Sequence, residues 1–342
     1  MSQKQFLNKK IKRDKIIKKR ENNIKDVGEN NKDEKNKKEI NDNVIIGIIK
    51  AEKNNLKIRI INSFENAKIK NNYLKGNENE EEIKKCEIFI NDIKIDFSYY
   101  YDFQNEGKYK IKYIFKNLVN STNYMFSICS SLISLDLSKF NTKNVTNMDS
   151  MFCGCKSLIS LDLSNFNTKK VTSMNSLFYG CESLISLDLS KFNTKNVTNI
   201  DFMFFDCKSL ISLNLSNFNT SKVTNMASLF YGCKSLISLD LSNFNTKKVT
   251  SMDSMFYGCK SLTLLDLSNF NTKRVTKMNY IFYYCYSLIS LDLSNFNFKN
   301  VYFTNLMITN CYSLISLVLP KFNIKDKISI NYMRDDCNSL IL

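Results

Sequence analysis

The sequence predicts an α/β repeat protein: a solenoid of 26-residue strand-plus-short-helix units preceded by a small β-rich domain. Three observations carry this prediction. Cysteines recur at a fixed step of 26, leucines keep the same step in phase with them, and the hydrophobic pattern changes period within each unit.

The step comes first, because a fixed self-similarity decides the architecture before any local propensity does. Cys129, Cys155, Cys181, Cys207, Cys233, Cys259, Cys285, Cys311 and Cys337 are each 26 residues apart. Leu132, Leu158, Leu184, Leu210, Leu236, Leu262, Leu288, Leu314 and Leu340 repeat in the same phase, so eight full repeats run from Cys129 to Cys337. One such unit cannot bury its apolar face alone, and stability must come from stacking on neighbours.

Within the unit from Ser131 to Lys156, Leu135, Asp136 and Leu137 alternate in, out, in, which is strand period. Val145, Met148, Met151, Phe152 and Cys155 then recur at three and four, which predicts a short helix. Gly154, Gly180, Gly232 and Gly258 precede the cysteine and supply a left-handed residue at the end of that helix. Stacked units turn each column into a ladder. Phe140, Phe166, Phe192, Phe218, Phe244, Phe270, Phe296 and Phe322 make one, and Phe152, Phe178, Phe204, Phe230, Phe256 and Phe282 make another. Eight strands at about 4.8 Å give a body roughly 40 Å long.

The array, residues 118–342, opens with a half unit from Leu118 to Cys129, in which Tyr124, Met125 and Phe126 imitate the helical half. It fades where Pro320 follows the strand and Lys327 displaces the valine column, and its last edge is expected to be covered by another chain, cut short or frayed. Upstream, residues 44–117 hold five strand-like runs, beginning at Val44, Leu56, Cys86, Ile93 and Gly107, with Asn91 and Asp92 as a hairpin turn. The acidic stretch from Asn77 to Glu82 reads as a loop or helix start. Residues 1–43 read as a disordered basic tail: the first twenty carry nine Lys or Arg against Asp14 alone.

Composition narrows function. The 342 residues carry a formal net charge of +16 and no histidine, which excludes Ser-His-Asp and Cys-His catalysis and histidine-based metal sites. There is no phosphate-binding glycine loop, and no cofactor or metal is expected. Catalysis stays open only within residues 44–117, so the chain reads as no enzyme. The eleven cysteines read as buried free thiols of an intracellular protein. No signal-peptide run and no stretch of 18 apolar residues is present, which places the chain in the cytoplasm.

The unit SLxSLDLSxFNTxxVTxMxxMFxGC resembles the BspA-like leucine-rich repeats, also met as a Mycoplasma-type surface lipoprotein repeat and in many protist proteins, across residues 118–342. The resemblance implies a leucine-rich-repeat solenoid and a non-enzymatic binding or adhesion role.

Stacking places Asp136, Asp162, Asp188, Asp240, Asp266 and Asp292 in one outward stripe flanked by serines, interrupted at Asn214 and ended at Val318. The stripe is either a surface for a basic partner protein or a set of solvated repeat positions. Tyr179, Tyr231, Tyr257 and Tyr283, with Phe205, form an aromatic column suited to partner contact or to packing on the next unit. The leading function is a scaffold that holds another protein. Docking of residues 1–43 on nucleic acid or an anionic membrane, and end-to-end self-association through the last strand, are the alternatives.

Overall fold

The computed structural model describes residues 43–68, 79–320 and Cys337. The basic tail up to residue 42, Asn77, Glu78, Phe322, Lys327 and Leu340 lie outside them.

Apolar residues alternate along the first and last strands of the N-terminal region, and this builds one sheet. β1 (Asn43–Ala51) buries Ile45, Ile49 and Ala51, and β6 (Gly107–Phe115) buries Ile111, Tyr113 and Phe115. The two pair antiparallel over their whole length, from Asn43 opposite Phe115 to Ala51 opposite Gly107. β3 (Glu87–Ile90) and β4 (Ile93–Ile95) join as a hairpin whose Asn91 and Asp92 have φ of 47° and 66°, the left-handed pair that a two-residue hairpin turn needs. β2 (Lys57–Arg59) and β5 (Tyr100–Asp102) pair separately, and two five-residue helices, α1 (Phe64–Lys68) and α2 (Glu80–Lys84), complete the region.

The fifth strand of that sheet belongs to the first repeat. β7 (Leu132–Asp136) pairs antiparallel with β1, giving the order β4-β3-β6-β1-β7. The sheet therefore crosses the boundary expected between residues 117 and 118. Gly47 allows the approach: a Cβ there would lie 3.1 Å from a Leu132 methyl and 3.2 Å from a Leu135 methyl. The aromatic ladders also start upstream, since Tyr113 lies 5.5 Å from Phe126 and Phe115 lies 5.7 Å from Phe140. Because β1 runs antiparallel to β7, the N-terminal sheet covers an edge whose other side grows only by parallel stacking.

Downstream the chain is tandem repeats, mostly β in character. Strand segments are short: β8 (Ser186–Asp188) pairs parallel with β9 (Ser212–Asn214), and β10 (Ser290–Asp292) with β11 (Ser316–Val318). A second parallel ladder of single bridges links each repeat to the next, from Ser121 with Asn147 to Lys277 with Phe303. Both phenylalanine ladders lie inside among the described residues, and their rings stack, Phe204 on Phe230 at 5.6 Å with an interplanar angle of 2°.

The short helix expected in each unit is absent among the described residues. Its place is taken by successive four-residue turns, and backbone hydrogen bonding explains why. Met148, Ser150, Phe152 and Gly154 donate their N–H groups to carbonyls of the following repeat, Ser173, Asn175, Leu177 and Tyr179, at 2.6–3.1 Å. Met151, Cys153 and Cys155 donate within the unit, each to the residue three before it. An N–H committed to the next coil cannot close a helical ring. Two residues per repeat also have positive φ, Ser150 at 56° and Gly154 at 72° in the first full unit, which an α-helix excludes. The spacing of three and four is that of the turns, which put the same side chains inside.

Two polar columns tie the coils together. Buried Thr220 donates its hydroxyl to the Asn245 carbonyl at 3.1 Å and accepts the Asn245 N–H at 2.7 Å, and Thr142, Thr168, Thr194, Thr246 and Thr272 clamp the next repeat in the same way. Each column cysteine from Cys155 to Cys311 donates its thiol to the phenylalanine carbonyl of the repeat before, Cys233 to Phe204 at 3.2 Å. Among the described residues no helix is long and apolar enough to cross a membrane.

Candidate binding surfaces

The aspartate stripe sits where each strand gives way to a turn. Asp136, Asp162, Asp188, Asp240, Asp266 and Asp292 are exposed, as are Asn214 and Val318. Each aspartate has one carboxylate oxygen bound by the backbone N–H two residues on, at 2.8–2.9 Å, and Asn214 serves Ser216 in the same way. The stripe residues thus shape the turn while their side chains stay exposed.

That contact favours the charged form of four of these carboxylates. The N–H of Ser190, Ser242 and Ser268 holds Asp188, Asp240 and Asp266 below the usual carboxylate range, and for Asp292 the Ser294 hydroxyl leads, followed by its N–H. Half-buried Ile133, Ile159, Ile185, Ile211, Ile237 and Ile289 run beside the stripe on the same strands, a column not singled out from the sequence although its period shows it. Clefts of about 120 and 150 Å³ open between neighbouring aspartates, Asp240 with Asp266 and Asp266 with Asp292. Both are well below the roughly 300–1,000 Å³ of small-molecule pockets. The strand face offers charge and apolar rows to a surface rather than a cavity to a ligand.

The aromatic column lies on the turns. Tyr179, Phe205, Tyr231 and Tyr257 are half-buried and stack in sequence with centroids 4.2–4.5 Å apart and planes within 6°. Tyr283 breaks the stack, tilting 41° from Tyr257 and meeting Tyr284 at 4.1 Å. Tyr286 and Tyr312 extend the cluster, with the Lys260 ammonium 4.8 Å from the Tyr286 ring centre. Burial, then Tyr231, pushes the Tyr257 phenol up to about 12, and the Tyr284 contact pushes Tyr283 to about 12, so both stay neutral donors. Phe205 and Tyr231 thus pack both ring faces on neighbouring repeats.

A third charged column, not singled out from the sequence, lies on the turns. Asp149, Asn175, Asp201, Ala227, Asp253 and Asn279 follow one another at the 26-residue step. Asp149 accepts the Ser173 hydroxyl and the Asn175 N–H at 2.5 and 2.8 Å, and Asp201 accepts Asn175 and Asn225 side-chain amides. Burial raises all three aspartates above the usual carboxylate range, and the hydrogen bonds only partly oppose it. These carboxylates are spent on cohesion between repeats.

Burial likewise pushes the Cys153 thiol up to about 11 and the Cys129 and Cys285 thiols up to about 12. Such groups are poor nucleophiles and poor metal ligands at neutral pH.

No curated protein and no solved structure matches the chain. The family described as Mycoplasma protein of unknown function, DUF285, matches three times in tandem, over residues 97–210, 120–237 and 209–322. These matches span more than half of the sequence and coincide with the stacked repeats, so the chain belongs to that family.

Proposed function

We propose that the chain is a non-enzymatic scaffold, a BspA-like leucine-rich-repeat solenoid, whose strand face holds a partner protein rich in Lys or Arg. The observation that carries this reading is the row of exposed carboxylates, each fixed by the N–H two residues on. Rigid anchoring lowers the entropy lost on binding, and a single-sign row steers an oppositely charged surface. The half-buried isoleucines beside it supply apolar area of the kind found at the centre of protein interfaces.

The test replaces Asp240, Asp266 and Asp292 by Asn, the residue that already stands in this column at Asn214. Binding of a fluorescent lysine-rich peptide to the full chain is followed by anisotropy, and proteins captured from lysate are compared for the two forms. Loss of these three charges weakens the peptide by about tenfold. Unchanged peptide affinity together with an unchanged set of captured proteins refutes the reading.

A further inference from the structure

We propose that a second face of the repeats, formed by the turn after the FNT motif, is a binding surface for a linear sulfated polysaccharide. The inference is independent of the strand-face reading, because it concerns different residues and the opposite charge.

Lys143, Lys169, Lys195, Lys247, Lys273 and Lys299 occupy one position of successive repeats, with Ser221 in the remaining place. The adjacent position holds Lys170, Lys222, Lys248 and Arg274, alternating with Asn144, Asn196 and Asn300. All ten cations are exposed. Contacts between repeats show that the columns are stacked: Lys170 Nζ donates to Asn144 at 3.1 Å, Lys222 Nζ to Asn196 at 2.9 Å, and the Asn300 amide to the Lys273 carbonyl at 2.8 Å. Six steps of about 4.8 Å make a row about 29 Å long.

Among the described residues none of these ten cations forms an ion pair, whereas Lys156 and Lys208, on a different column, both pair with Glu182. The asparagine two residues before each column lysine donates nothing to that lysine; its oxygen accepts the backbone N–H, as Asn141 does for Lys143 and Asn245 for Lys247 at 3.1–3.2 Å. Its NH₂ group is left as a donor beside the ammonium. The face therefore presents ammonium and amide donors in register, the complement of a polymer whose substituents are all acceptors.

The shape and chemistry select among polyanions. The cations occupy two adjacent columns only, a narrow footprint that follows a linear chain better than a duplex or a broad lipid surface. Single-stranded nucleic acid gains much of its affinity by stacking bases on aromatic side chains, and the aromatic column of this protein belongs to a different turn. A sulfated glycan needs no such platform. Nine of the ten cations are lysine, a point charge suited to pendant sulfates, rather than the arginine fork of planar recognition.

The experiment measures binding of fluorescein-labelled heparin to the full chain by anisotropy between about 50 and 200 mM salt. A stripe variant carries Lys247→Ser, Lys248→Asn, Lys273→Ser and Arg274→Asn, each borrowing the residue found in the same column of another repeat. A control variant removes four exposed lysines elsewhere: Lys53→Gln, Lys85→Gln, Lys108→Gln and Lys234→Gln. The stripe variant is expected to bind about tenfold or more weakly at low salt, with the slope of log affinity against log salt reduced by about three, and the control to change by no more than about threefold. Equal losses in the two variants overturn the proposal, because binding then follows net charge or the basic first twenty residues. Tighter binding of an oligothymidylate or of phosphatidylserine vesicles than of heparin, with the same dependence on the stripe, overturns the assignment to a glycan.

Discussion

Thr220→Val removes one inter-repeat clamp without changing side-chain volume, so no cavity forms. The Thr220 hydroxyl makes two hydrogen bonds to Asn245, one as donor at 3.1 Å and one as acceptor at 2.7 Å. At about 0.5–1.5 kcal/mol each, their loss costs about 1–3 kcal/mol, and the added buried methyl returns less than about 1 kcal/mol. The expected destabilisation is about 2 kcal/mol. Thr220→Ser keeps both hydrogen bonds and loses one methyl, so it costs about 1 kcal/mol or less. Urea unfolding followed by circular dichroism separates the two: at a slope of about 3 kcal/mol per molar the valine variant loses about 0.7 M in midpoint with the slope unchanged. The same substitution at Thr168 or Thr246 should cost a similar amount, since each repeat touches only its neighbours. A valine variant as stable as wild type, or more stable than the serine variant, would refute the clamp.

Gly258→Ala tests the left-handed turn position: φ is +67° and the nearest atom to the new Cβ is Gly232 Cα at 3.8 Å, so space is ample and the cost of about 1–2 kcal/mol is conformational, read as a lower melting temperature. Asp149→Asn tests buried charge. Because burial raises the folded pKa above its unfolded value, the ionised form is destabilising, with the penalty absent below the usual carboxylate range and complete above the raised value; the variant should therefore gain stability at pH 7 and gain nothing at pH 3 in parallel urea titrations. The stripe has the opposite sign: Asp188, Asp240 and Asp266 contribute stability that is lost as pH falls from the usual carboxylate range through their lowered values, so a triple Asn variant should flatten the acid limb of the stability profile. Dithionitrobenzoate at pH 8 should label almost none of the eleven thiols before unfolding and all of them in urea, and rapid native labelling of more than the half-buried Cys153 and Cys337 would contradict the buried ladder.

The period, the alternation at Leu135, Asp136 and Leu137, and the interior placement of Phe152, Met148 and Cys155 were legible because each follows from spacing of apolar residues alone. The backbone between them was not. A helix and a run of four-residue turns put Met148, Met151, Phe152 and Cys155 on the same side, and what separates them is a positive φ at Ser150, Phe202 and Tyr280, residue types that do not announce it. Thr220 went unread for a different reason: a threonine between Asn219 and Ser221 looks like a loop residue until its neighbour one repeat away is known. The pairing of β1 with β7 joins segments about 90 residues apart and leaves no local signature, although Gly47 within an isoleucine-rich strand marks a close backbone approach. The cation row was present in the repeat alignment, but an exposed lysine taken singly carries no signal.

Duplication by itself would stack every charge on its own copy, and the columns show where that is tolerated. Two like charges about 4.8 Å apart repel by about 0.9 kcal/mol at the dielectric of water and about 3.5 kcal/mol at an effective value of 20. The buried turn column never sets two carboxylates in successive repeats: Asn175 separates Asp149 from Asp201, and Ala227 separates Asp201 from Asp253. On the strand face Asp136, Asp162 and Asp188 do follow one another, each exposed and each bound by an N–H. Lys247, Lys273 and Lys299 follow one another too, with an exposed ammonium and no ion-pair partner among the described residues. Like-charge rows thus survive only where water screens them. In that setting an oppositely charged partner would relieve repulsion along the whole row at once, which is why the proposed partners are assigned to the two exposed rows and not to the buried column.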